Sequence, residues 1–109
     1  MEIVWGSSAI ENLFSLLERV EEMFGSSVSM NVRQKIMSHV NTLLSFPYIG
    51  VRDSRFYTIE IRYLVNTPNI IFHTVSSDAI IIISILNTRQ SPENIYQLLV
   101  DALKQNNLL

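Results

Sequence analysis

The sequence predicts an α+β fold of order β-α-α-β-β-β-α, a helical hairpin packed on an antiparallel sheet with a further helix at the C-terminal end. Three observations predict it. Apolar residues recur at helical spacing over residues 9–24 and again over residues 28–44, the mark of two amphipathic helices. Between residues 57 and 63 the period changes to two, as in a half-buried strand. Two isoleucine-rich stretches follow, residues 70–75 and 79–86, each of strand length.

The first element is EIVW at residues 2–5, short, β-branched at its centre and stopped by Gly6, hence a strand. Ser8, with Glu11 three residues on, reads as a capping box for the first helix. Its inward stripe is Ala9, Leu13, Leu16, Leu17, Val20, Met23 and Phe24, and its outer side carries Glu11, Asn12, Ser15, Glu18, Arg19, Glu21 and Glu22. Gly25 supplies the C′ position. A Ser-rich break at residues 25–29 leads to a second helix striped by Val28, Val32, Ile36, Val40, Leu43 and Leu44. Pro47 ends that helix and leaves Phe46 outside it. So short a connection makes the two helices antiparallel neighbours.

Gly50 and Asp53 mark a loop over residues 47–54, after which Tyr57, Ile59, Ile61 and Tyr63 alternate with Thr58, Glu60 and Arg62. Asn66-Thr67-Pro68-Asn69 reads as a turn and Ser76-Ser77-Asp78 as a tight connection. The strand at residues 79–86 is apolar on both faces, so it is expected at the centre of the sheet. Ser91 as N-cap, Pro92 at N1 and Glu93 in the first turn start the last helix, with Ile95, Leu98, Leu99, Ala102 and Leu103 as its stripe.

Composition bounds the chemistry. The 109 residues suit one domain, and with 48% apolar and 17% charged residues the chain can bury a core. Zero cysteines exclude disulfides, thiol nucleophiles and cysteine-ligated metals. Two histidines make no metal site unaided, and the glycines at 6, 25 and 50 are too far apart to cradle a phosphate, so no metal and no cofactor are expected. A net charge of −2 argues against affinity driven by phosphate neutralisation over the whole surface. No apolar run approaches the roughly 20 residues that span a bilayer, and the first residues lack a basic stretch ahead of an apolar one, so no membrane partner and a cytoplasmic location are expected.

Three strings carry a resemblance. EIVWGSSAIENL reads as strand, small residue and helix start; LLSFPYIG ends a helix in an aromatic residue, Pro and Gly; NIIFHTVSSDAIIIISILNTRQSP reads as apolar strand, polar turn, apolar strand and a basic element. In this order and at these distances they resemble the RelE/ParE toxin superfamily over most of the chain. The resemblance implies one toxin domain over residues 1–109, from a type II toxin–antitoxin module of the kind also known as plasmid stabilisation proteins. It further implies a cognate antitoxin as partner, and as target either the ribosome, where some members cut mRNA, or DNA gyrase, which others inhibit without cutting. Fold alone does not choose between them.

Metal-free RNA cleavage needs a base for the 2′-hydroxyl, cations around the phosphate and an acid for the leaving oxygen. The candidates for that chemistry are Arg55, Arg62, His73 and Arg89, with Tyr96 near the end of the chain, while the two lysines, Lys35 and Lys104, lie on predicted helices elsewhere. The family's lysine-rich cutting site is absent. Each candidate has a plainer reading: Arg89 as a solvated loop residue, Arg62 as a cross-strand ion-pair partner, His73 as a hydrogen-bonded sheet histidine and His39 as a surface residue. Arg52 and Arg55 flank Asp53, so local pairing competes with target binding. Arg52, Arg55 and Arg89 are the candidates for target binding.

Ile10 and Phe14 on the first helix, with Met30 and Met37 on the second, lie off the main stripes. This surplus fits either packing inside the hairpin or a groove covered by an antitoxin segment or a second copy of the chain. An unpaired edge among the isoleucine-rich strands could likewise accept a partner strand. The acidic balance and the missing lysines favour a toxin that binds a protein target such as gyrase over a ribosome-dependent mRNA endonuclease. A non-toxic interaction module on the same fold is the third reading.

Overall fold

The computed structural model describes residues 1–109. Strand β1 (Glu2–Trp5) is followed by α1 (Ser7–Phe24) and α2 (Ser26–Asn41), then a 3₁₀ turn at Thr42–Leu44. Strands β2 (Val51–Arg52), β3 (Arg62–Asn66), β4 (Asn69–Ser76) and β5 (Ala79–Asn87) precede α3 (Pro92–Gln105). The sheet runs β1-β5-β4-β3-β2. The α+β class and the order of helices match the expectation, with two refinements. A short β2 is added, and the sheet is mixed, because the hairpin carries the chain across so that β1 returns parallel to β5, Glu2 opposite Ala79 and Trp5 opposite Ile82.

Two apolar cores explain why the isoleucine strands have no polar face. On one side α1 and α2 bury Ala9, Leu16, Ile36, Val40 and Leu43 against Leu64, Ile71, Ile80, Ile82 and Ile85. On the other side α3 buries Ile95, Leu99, Ala102 and Leu103 against Phe56, Ile61, Phe72, Ile83 and Leu86. Strand β5 is interior, paired on both sides, so it offers no open edge. An irregularity in its pairing with β4, where Phe72 faces Ser84 and His73 faces Ile82, leaves Ile83 unpaired and shifts the faces by one residue.

Several local expectations fail for identifiable reasons. The capping box does not form: Gly6 is the N-cap of α1, and the Ser8 hydroxyl donates instead to Gln105 Oε1 on α3. A side chain at residue 6 would lie 2.7 Å from Asn106 Oδ1 and 3.0 Å from the Ile82 carbonyl, so glycine allows α3 to close on this corner. The Ser-rich break is one residue long, since Gly25 at φ +91° both ends α1 and precedes α2. Met23, Phe24, Val28 and Leu44, placed on the inward stripes by spacing, are exposed near the helix ends, and so is Leu98 of α3.

The strand expected at residues 57–63 exists only from Arg62. Asp53 accepts from the Arg55 N–H at 3.1 Å and Phe56 N–H donates to the Asp53 carbonyl at 3.3 Å, a local turn that outcompetes extension. Tyr57 then points into solvent, 89% exposed, and Ile59 and Ile61 both pack toward the α3 core. The cap of α3 does form: the Asn94 N–H donates to Ser91 Oγ at 3.1 Å. Ser91→Ala is expected to cost about 1 kcal/mol, read as a shift in the urea midpoint.

No helix is long and apolar enough to cross a membrane.

Candidate functional site

The five sequence candidates separate into three places. Arg62 and His73 are opposite each other on β3 and β4, on the hairpin side of the sheet. Arg62 Nε donates to Glu60 Oε2 at 2.6 Å, and its Nη1 donates to the Gly50 carbonyl at 3.1 Å. Arg52 approaches the same carboxylate at 3.8 Å. Thr74 Oγ1 donates to the Glu60 carbonyl at 2.8 Å and fixes it beside the strand. The hydrogen bond from Arg62, reinforced by its charge and that of Arg52, holds the Glu60 carboxyl below its ordinary range.

His73 is fully buried. Its Nε2 lies 3.2 Å from the Pro47 carbonyl, which can only accept, so the neutral ring carries its proton on Nε2. Nδ1 then presents a lone pair with no partner. The residue lines a cavity of about 20 Å³ together with Tyr48, Glu60, Arg62 and Thr74, room for roughly one water. Burial, opposed by the Pro47 hydrogen bond and aided by Arg62, pushes the His73 pKa below its ordinary 6.5.

A stability consequence follows with a definite sign. Unfolding exposes a ring that takes up a proton at about its ordinary pKa, whereas the folded ring resists it. The His73 contribution is therefore full well above pH 6.5 and is lost as the pH drops from 6.5 toward the lower folded value, by at most about 1.4 kcal/mol per pH unit for one proton. Urea melts at descending pH are expected to show this slope in the native chain and to lose it in His73→Gln.

Arg55 occupies the other side of the sheet. Its Nε donates to Asp53 Oδ1 at 2.9 Å, Nη2 to Oδ2 at 2.6 Å and Nη1 to the Pro92 carbonyl at 3.4 Å. Its guanidinium lies 5.5 Å from the Tyr96 ring, which stacks on Phe56 with centroids 5.5 Å apart. Burial raises the Asp53 pKa, but the Arg55 hydrogen bonds and charge outweigh it and leave the carboxyl below its usual value. Arg55 thus ties the loop to the start of α3. With Arg52, Tyr63, Ile70, Thr88 and Gln90 it lines an open groove of about 470 Å³.

Arg89 stands apart from both. It is exposed in the turn after β5, its N–H bound to Asn87 Oδ1 at 2.8 Å, and its side chain is in none of the three ion pairs. It lines a polar groove of about 620 Å³ between α1 and α3, with Glu11, Arg19, Asp101 and Gln105. The four cleavage candidates therefore do not converge, and only Arg62 and His73 share a cavity. Lys35 and Lys104 are exposed on α2 and α3.

On the hairpin, Ile10, Phe14 and Met30 are exposed and Met37 is half-buried. Phe14 is 69% exposed, and Glu11 and Glu18 lie beside it on the same exposed side of α1.

Sequence reading missed two residues. Asn12, placed on the outer side by periodicity, turns inward, and its Oδ1 accepts from Ser84 Oγ at 2.9 Å and from the Ile85 N–H at 3.0 Å. The signal was Ser84 itself, a hydroxyl inside an isoleucine run that requires a partner. His39, read as a surface residue, is half-buried, with Nδ1 3.1 Å from Asn66 Nδ2.

No family model matches the sequence, and no curated protein matches it. Nine chains of solved structures match the fold. One belongs to a structure titled "Chromosomal ParDE TA system from P. aeruginosa", with a TM-score of 0.70 at 20% identity, covering 80% of this chain and 95% of that one. The resemblance read from the three strings holds at the level of the fold.

Proposed function

We propose that this chain is the toxin of a type II toxin–antitoxin module and that it acts, in the cytoplasm, by binding a protein target, DNA gyrase being the target this reading favours. A single observation carries the non-cutting half of the proposal: the cleavage candidates do not converge, three of the four being engaged within the chain and the fourth, Arg89, lying in a different groove. Arg55 is bound to Asp53, Arg62 to Glu60, and His73 is buried with its Nε2 against the Pro47 carbonyl. The likeness to a chain from a ParDE TA system supports the toxin half. Arg52, Arg55 and Arg89 are the residues assigned to the target, and Ile10, Phe14, Met30 and Met37 those assigned to a cognate antitoxin.

One observation favours the endonuclease instead, the shared cavity of Arg62 and His73, but its roughly 20 Å³ admits a water and no nucleotide. Induction of the chain without an antitoxin tests the proposal. Growth arrest with loss of supercoiling by purified gyrase, and no codon-positioned breaks by primer extension, is the expected result. Breaks in mRNA would replace this reading by the endonuclease, and harmless expression would leave the interaction module.

A further inference from the structure

The chain from Thr42 to Val51 contains no charged residue, yet Leu44, Phe46, Tyr48, Ile49 and Val51 within it are exposed, as is Val65 of β3, all between 44% and 63%. Together the six side chains show roughly 500 Å² of apolar surface, at about half of the 150 to 250 Å² that a large side chain can bury, wrapped round the sheet edge: Val51 and Val65 pair with Tyr63 and Ile70 on the α3 side, and Tyr48 lies with Arg62 and His73 on the other. That area lies near the top of the range for the largest patch on a typical monomer. It also equals the apolar share of about 800 Å² per partner, the size of a standard specific interface.

Beside this strip the sheet is open. Asn66 and Asn69 flank the two-residue turn Thr67-Pro68 and pair with each other, so by the alternation of an antiparallel ladder the N–H and C=O of Val65 face away from β4. Strand β2 reaches only Val51, opposite Tyr63. The ladder goes no further: Gly50, at φ +101°, lies so close to β3 that a side chain there would strike the Tyr63 carbonyl at 2.5 Å. An unpaired strand edge and an uncharged apolar strip thus adjoin.

We infer that a second copy of this chain covers the strip, the two open β3 edges lying antiparallel across a two-fold axis. Such an interface sets the same patch against itself, which an uncharged strip permits without like-charge repulsion. The exposed apolar residues of α1 do not meet that condition, because Glu11, Glu18, Glu21 and Glu22 would face their own copies. The inference is independent of the toxin reading.

Sedimentation of the purified full chain over a concentration series tests it. The expected mass is twice that of one chain, and Phe46→Asp/Ile49→Asp is expected to weaken association by about 30-fold or more while the variant keeps the far-ultraviolet spectrum of the folded chain. Leu44→Asp or Val65→Lys carries the same test should that pair fail to fold. Ile10→Asp/Phe14→Asp on the hairpin should remain dimeric. A native chain that stays monomeric at the highest concentration overturns the inference. So does a dimer indifferent to the strip variants, which would place the contact elsewhere, such as the free edge of β1, or a dimer broken by the hairpin variant.

Discussion

Leu99→Ala is expected to lower the unfolding free energy by about 2 to 5 kcal/mol, a large part of the 5 to 15 kcal/mol that holds a typical domain together. Leu99 is fully buried in the core that α3 forms with Phe56, Ile61, Phe72 and Ile83. Truncation removes its burial and leaves a cavity between a helix and a sheet, where collapse is limited. Leu98→Ala, one residue away and exposed, is expected to cost less than about 1 kcal/mol. Urea denaturation monitored by far-ultraviolet and tyrosine signals checks both. If α3 were an appendage, Leu99→Ala would melt the helix alone and split the two signals. A single coincident transition at lower urea is the expected outcome, because α3 is also fastened to α1 through Ser8 and Gln105 and to the loop through Arg55 and Pro92.

The contrast between these two leucines also marks how far the sequence could be read. Helical spacing finds a stripe, and it named Leu98 and Leu99 together; only the position of the sheet beneath α3 decides which one is covered. The same holds for Met23 and Phe24, in phase with the stripe of α1 but near its end. Signals that act within a few residues were legible: the Ser91 cap, the Thr67-Pro68 turn, the β1 boundaries and the glycine between the helices. Signals that depend on a distant partner were not. Ser8 resembles a cap until Gln105, 97 residues away, takes its hydroxyl. Residues 57–61 are a different case, a conflict between two local signals: the alternation reads as a strand, and the Asp53 turn just before it bends the chain away from extension.

The candidate site divides along the same line. Spacing identified the cations, and the pairing of Arg55 with Asp53 was visible as a competing reading because the two are neighbours in sequence. That Arg62 and His73 share a cavity while Arg89 lies in a different groove follows from strand register and from the α1–α3 contact. Neither is encoded in any local pattern. The exposed strip at residues 44–51 was legible only as a loop motif, since apolar residues in a loop carry no periodicity to say which of them face water.

Ile10→Asp/Phe14→Asp is expected to separate neutralisation from toxicity on the proposed reading. Both side chains are exposed on α1, so charging them removes no core contact and should leave the melting temperature within about 2 to 4 °C of the native chain. An antitoxin segment that seats its apolar side on them would instead meet two carboxylates without partners, beside Glu11 and Glu18 that are already there. Losing a pair of central apolar anchors costs roughly 2 to 4 kcal/mol of binding, or about 30- to 1,000-fold in affinity. Co-expression with the cognate antitoxin should then fail to restore growth, while the purified variant inhibits its target as the native chain does. Rescue equal to that of the native chain would remove the hairpin from the neutralising interface. Loss of toxicity with the fold intact would show instead that this face engages the target, because a surface serving only the antitoxin has no part in arresting growth.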